Sequence, residues 1–106
     1  MSKIREIVNA WDAREPRAVV TGTRAYLDRD DVVETWRVFD DYVEFSRGMR
    51  VQIPYLRTPR MIAEKDRSVL EVRYEIEGGD CSMMAIVAGD AEISHFICAV
   101  RDRMFS

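Results

Sequence analysis

The run Asp31-Val32-Val33-Glu34-Thr35-Trp36-Arg37-Val38-Phe39-Asp40-Asp41-Tyr42-Val43-Glu44-Phe45-Ser46-Arg47-Gly48 decides how this chain folds. Two readings compete for it. As a helix, Asp31 and Glu34 would form a capping box, Val32, Trp36, Phe39 and Val43 would share a face, and Gly48 would cap the end. As a hairpin turning at Asp40-Asp41, the run sets Phe39 opposite Tyr42, Val38 opposite Val43, Arg37 opposite Glu44, Trp36 opposite Phe45 and Glu34 opposite Arg47. The β-branched and aromatic residues that dominate it are stiff at χ1 and favour strands. Each aromatic, aliphatic or opposite-charge cross-strand pair adds roughly 0.2–1 kcal/mol. Asp-Asp is a weaker turn signal than Asn-Gly, because a two-residue hairpin turn favours positive φ. The repeated cross-strand matches make the hairpin the preferred reading.

Downstream, Val69 to Glu77 alternates cleanly. Leu70, Val72, Tyr74 and Ile76 face one way, and Glu71, Arg73, Glu75 and Glu77 face the other, which is expected to be solvated. Gly78-Gly79-Asp80 turns the chain, Cys81 to Ala88 is the partner strand, and Gly89-Asp90 opens a helix with Ile93, Phe96, Ile97, Val100 and Met104 on its apolar side. Between these and the hairpin, Arg50 to Tyr55 is a short strand that Pro54 confines to an edge or a strand end. Leu56 to Ser68 is less regular, with Met61-Ile62-Ala63 as a brief strand. Upstream, Ala18 to Leu27 is a strand in which Gly22 marks a bulge. Residues 2–14 carry Ile4, Ile7, Val8 and Trp11 at helical spacing behind Ser2 as N-cap, and Pro16 ends that helix.

The expected order is a helix, six or seven short antiparallel strands each beside its sequence neighbour, and a closing helix. That is an α+β fold: a partly open antiparallel β-barrel, or two packed sheets, with a C-terminal capping helix. Residues 1–16 form an N-terminal extension on a single domain spanning 17–106, a size sufficient for one core.

Three stretches give this pattern a family resemblance. Thr21-Gly22-Thr23-Arg24-Ala25-Tyr26-Leu27, Arg50-Val51-Gln52-Ile53-Pro54-Tyr55 and the junction Gly89-Asp90-Ala91-Glu92-Ile93-Ser94-His95-Phe96 resemble the opening strand, a later strand and the strand-to-helix junction of pleckstrin-homology (PH)-like domains. The small bacterial and archaeal members are the most similar, and the likeness covers 17–105. It implies a non-enzymatic binding module. Some PH-like domains hold phosphoinositides through basic residues at the first loop. Here that loop is Leu27-Asp28-Arg29-Asp30-Asp31, whose three carboxylates repel anionic headgroups.

The 106 residues carry a net charge of −3, which argues against general nucleic-acid binding. The basic residues are almost all Arg, a bias that fits a GC-rich genome. No apolar run approaches the ~20 residues of a membrane span, and no signal peptide follows the charged start Met1 to Glu6. Cys81 and Cys98 are expected as reduced thiols in a cytoplasmic protein. His95, Cys98 and Cys81 would form a zinc site only by folding together. Asp28, Asp30, Asp31, Asp40 and Asp41 lack the spacing of a calcium loop and fit turn chemistry. No catalytic, cofactor-binding or metal-binding residue is assigned.

One pattern points to a partner. The strand Cys81–Ala88 is apolar on both faces, with Cys81, Met83, Ala85 and Val87 on the second. Either helix, or a second copy of the chain in a homodimer, is expected to cover that face. The segment Arg57 to Arg67 is the only net-basic run. A protein-binding surface is therefore expected to use Trp11, Met83, Val87, Arg57, Arg60 and Arg67. Three other readings stay open. One is a phage- or plasmid-type inhibitor that blocks a host complex through Asp28, Asp30 and Asp31. Another is a roadblock- or profilin-like dimerisation module, which requires 31–48 to be helical. An enzyme would need a deep pocket with convergent polar groups.

Overall fold

Cross-strand chemistry prevails over helical spacing in residues 33–45. The computed structural model describes the backbone of 5–7 and residues 13–28, 31–45 and 48–105. Among these residues eight strands and one α-helix follow one another: β1 (Arg5–Ile7), β2 (Ala18–Arg24), β3 (Val33–Val38), β4 (Tyr42–Phe45), β5 (Met49–Gln52), β6 (Arg60–Ala63), β7 (Ser68–Glu75), β8 (Cys81–Ala88) and α1 (Asp90–Met104). β3 and β4 pair with Arg37 opposite Glu44 and Val38 opposite Val43. The Phe39 N–H donates to the Tyr42 carbonyl at 2.9 Å and closes the Asp40-Asp41 turn. The roadblock- or profilin-like reading required a helix here and loses its premise.

The strands form one antiparallel sheet in the order β1-β5-β4-β3-β2-β8-β7-β6 among the described residues. The expected next-neighbour meander is corrected at two places. β5 and β6 are consecutive in sequence but lie at distant positions in the sheet, and β2 instead pairs with β8 at Thr23↔Val87 and Arg24↔Ile86. After β5, Pro54 starts a 3-10 turn, Ile53–Tyr55, that ends the ladder and redirects the chain. Leu56 then bridges to Tyr74 on β7. The sheet is not closed, since β1 and β6 are its two edges. It is nonetheless strongly curled. The rings of Phe45 on β4 and Tyr74 on β7 lie 6.3 Å apart, although β3, β2 and β8 separate those strands.

The curl and α1 enclose the core. Ala18, Val20, Trp36, Val38, Val43, Phe45, Val51, Leu70, Val72, Tyr74, Met84 and Ile86 from the sheet meet Ile93, Phe96, Ala99 and Val100 from the helix. Trp36 is fully buried, edge-on to Phe45 at 4.9 Å and beside Phe96 at 6.1 Å. A buried indole N–H needs an acceptor. Trp36 Nε1 donates to Glu34 Oε1 at 3.0 Å, and Arg24 on β2 reaches the other oxygen at 3.3 Å. The pair therefore carries a polar cluster into the end of the core.

Helix α1 starts and ends where its spacing predicts. Asp90 and Glu92 stand in its first turn and Arg101 and Arg103 in its last, each sign favoured by the helix dipole. The N-terminal helix over 2–14 is overturned at its described part. Arg5, Glu6 and Ile7 are extended and pair with Val51, Arg50 and Met49 of β5. The open edge of β5 offers ladder bonds that outweigh an isolated helix of that length, which is marginal in water. These residues belong to the sheet, and the remainder of 2–12 lies outside the described residues.

Gly22 sits where β2 turns from β3 alone toward β8. A Cβ added there would lie 1.9 Å from the Val87 carbonyl oxygen, so close backbone approach excludes any side chain. Gly22→Ala should cost about 3 kcal/mol or more by urea denaturation, as overpacking against immovable backbone does. Gly89→Ala, whose added Cβ meets nothing nearer than 3.8 Å, should cost only about 1 kcal/mol, the loss expected of alanine at the N-cap that Gly89 provides for α1.

Candidate functional site

Side chains alternate along a strand, so the register of β6, β7, β8 and β2 sets the rows of the sheet face that points away from the core. One row holds Ile62, Val69, Val87 and Thr23, and the next holds Arg60, Glu71 and Ala85. Beyond them come Arg73 with Met83 and Glu75 with Cys81. The ladder continues past β2, where the Ala25 N–H donates to the Ala85 carbonyl at 3.0 Å. Ala25, Val69 and Ala85 form a second buried cluster, and Ile62 and Val87 pack against it. Half of the apolar second face of β8 is thus covered within the chain. Its cover is the start of the β2–β3 connection, and not α1 as one expectation had it.

Tyr26 pins that cover. It adopts φ 63°, a conformation costing a non-glycine residue about 1–2 kcal/mol. Its hydroxyl donates to Glu64 Oε2 at 2.8 Å, and Arg67 Nε donates to Glu64 Oε1 at 2.6 Å. The Arg67 guanidinium also lies 5.7 Å from the Tyr26 ring centre. The hydrogen bonds from Arg67 and Tyr26 hold the Glu64 carboxyl below its ordinary range, and the bond to Glu64 raises the Tyr26 hydroxyl.

The other half of the face is open. Met83 is 41% exposed opposite the exposed Arg73, and on the far side of β7 Arg60 and Arg57 are exposed as well. Glu71 corrects the expectation of a solvated acidic row, for it is buried. The edge strand β6 flanks it, and two guanidiniums close over it. Arg60 Nε and Arg73 Nε both reach Glu71 Oε1, at 2.9 and 3.0 Å. Arg57 meets Glu75 at 2.7 Å. Burial raises the Glu71 pKa, and the bonds from Arg60 and Arg73 more than reverse that, leaving it below the ordinary value. Three guanidiniums face two carboxylates, so the surface is locally positive on a chain of net charge −3.

The structure gathers Met83, Arg57 and Arg60 on this face. Val87 lies toward its covered side, Arg67 at its rim, and Trp11 outside the described residues. Arg73, Glu71 and Tyr26 were missed. Pairing β6 with β7 as a hairpin around residues 64–67 would have exposed the Arg60–Glu71 match, by the same test that resolved β3 and β4. Elsewhere, Asp40 is bound by Arg17 and Asp41 by Arg14, the latter at 3.2 Å, which neutralises that turn. Cys81 and Cys98 are free, exposed thiols. His95 is an exposed helix residue, and among the described residues no three His, Cys, Asp or Glu side chains gather into a metal site. An open depression lies beside Cys98, Arg101, Asp102 and Phe105 near the end of α1. No helix among the described residues is long and apolar enough to cross a membrane.

Because folding depresses the Glu71 pKa, its contribution is fully present above the unfolded value and is lost as pH falls through the folded one. Glu71→Gln should therefore lower stability by about 1–3 kcal/mol at pH 7. The gap between mutant and wild type, followed by urea titration, should narrow steadily as the pH is taken down toward 3. No protein-family model matches this chain, and no curated protein matches it.

Proposed function

We propose that this chain is a non-enzymatic protein-binding module of PH-like architecture, and that its contact surface is the open outer face of β6, β7 and β8. The order of elements supports the architecture: two antiparallel units joined at one strand and closed by a C-terminal helix. A single observation carries the functional reading. Arg60 and Arg73 share one oxygen of a buried carboxylate, which holds two guanidiniums in place on the face that exposes Met83, with Arg73 directly opposite it.

That combination suits protein recognition. Guanidiniums present several donors in a fixed plane, and prior immobilisation reduces the side-chain entropy lost on binding. Methionine supplies an adaptable apolar contact at the centre. The uncompensated positive charge selects a partner with an acidic contact segment and speeds its encounter.

The test is affinity capture from the source cells, followed by reconstitution with the purified captured protein. Arg73→Gln and Met83→Asp should each weaken the reconstituted complex at least tenfold by calorimetry, with melting temperatures close to wild type. Affinity unchanged in both variants would reject this face as the contact surface.

A further inference from the structure

We infer that β6 is a self-complementary edge through which two copies of this chain join their sheets into a symmetric dimer. Among the described residues β6 is the terminal strand of the sheet, and Arg60, Met61 and Ala63 are exposed along it. Its free backbone groups can be assigned. The Glu64 N–H donates to the Arg67 carbonyl at 2.9 Å, continuing the register in which Ile62 faces Val69 and Arg60 faces Glu71. Bonded positions alternate in an antiparallel ladder. Arg60, Ile62 and Glu64 therefore turn their backbone groups to β7, and Met61 and Ala63 turn theirs to the open side.

Natural edge strands are usually blunted by shortness, charge, proline or a bulge. β6 is short and begins with Arg60, but its centre, Met61-Ile62-Ala63, carries no charge, proline or bulge. A second copy related by a two-fold axis through Ile62 satisfies the whole edge. Met61 bonds the partner's Ala63, Ala63 bonds the partner's Met61, and Ile62 meets the partner's Ile62. Arg60 then stands opposite the partner's Glu64, so opposite charges flank the apolar centre on both sides of the axis. Neighbouring registers fail. An axis at Met61 sets Ala63 against the partner's Pro59, which has no N–H, and an axis at Ala63 sets Met61 against the partner's Lys65 in the β6–β7 turn.

Four backbone bonds and a few side chains make an interface below the ~1,200 Å² of standard ones, so the dimer is weak and concentration-dependent. This edge is a different surface from the outer face around Met83. Loss of the dimer would leave that reading intact, and an unaltered affinity of Arg73→Gln would leave the dimer intact.

Disulfide trapping tests it, because non-bonded antiparallel pairs bring Cα atoms within about 4.5 Å, inside the range a disulfide spans. In a background with Cys81→Ser and Cys98→Ser, Ile62→Cys should form a covalent dimer under mild oxidation at least ten times faster than the exposed control Met83→Cys. Equal rates would overturn the proposal. Met61→Pro removes only an outward N–H, which an edge strand tolerates. In sedimentation velocity the wild-type mass should rise with concentration, whereas Met61→Pro should remain monomeric with an unchanged circular dichroism spectrum. A wild type that stays monomeric throughout, or a folded Met61→Pro that associates equally, would overturn it as well.

Discussion

The fold depends on a short seam. Thr23 with Val87 and Arg24 with Ile86 are the ladder pairs that join the β1–β5 half of the sheet to the β6–β8 half. β2 serves both halves because Gly22 lets its backbone close on the Val87 carbonyl. Just before that point β2 stands away from β8, and α1 occupies the opening. Glu92 Oε2 accepts a long bond, 3.5 Å, from the Thr21 N–H that β8 does not reach. The helix thus packs into the opening that the curled sheet leaves along β2.

Charge follows a consistent plan across the outer surface. Carboxylates sit low and buried while arginines arch over them, three from neighbouring strands and Arg73 from two residues along the same strand as Glu71. Glu44 lies between Arg37 and Arg50 on β3, β4 and β5, as Glu71 lies between Arg60 and Arg73 on β6 and β7. Cross-strand ion pairs of this kind fix register as much as they stabilise, because a one-residue slip would turn every charge toward the core. On the first half, Arg37 is buried and Arg50, largely covered, lies 4.5 Å from the Tyr42 ring centre. On the second half the arginines are open to solvent on the face that exposes Met83. The same device is structural in one place and available for contact in the other.

The elements that could be read from the chain are those whose partner lies within a few residues. Arg37 finds Glu44, and Leu70 to Ile76 finds Cys81 to Ala88, across turns short enough for register to be inferred from the side chains. The seam could not be read, because nothing in Thr23-Arg24 names Val87 or Ile86 rather than another apolar strand. β1 was misread for a related reason: Ile4 and Ile7 fit a helical face, but the unpaired edge of β5 determines the conformation of Arg5 to Ile7. Of the site, Met83, Arg57 and Arg60 stood out through exposure and composition. Glu71 looked like an ordinary solvated acid, since its burial follows from β6 lying alongside and not from its own strand.

A carboxylate gripped by two arginines from separate strands has a consequence for how this sequence can drift. Loss of Glu71 alone leaves Arg60 and Arg73 as adjacent like charges, whereas loss of either arginine leaves the other to neutralise the acid. Substitution at Arg60 or Arg73 is therefore a permissive first step, and substitution at Glu71 is not. Among descendants of this chain the acid should be the slowest of the three to change, and its replacement should arise only in lineages that have already lost an arginine.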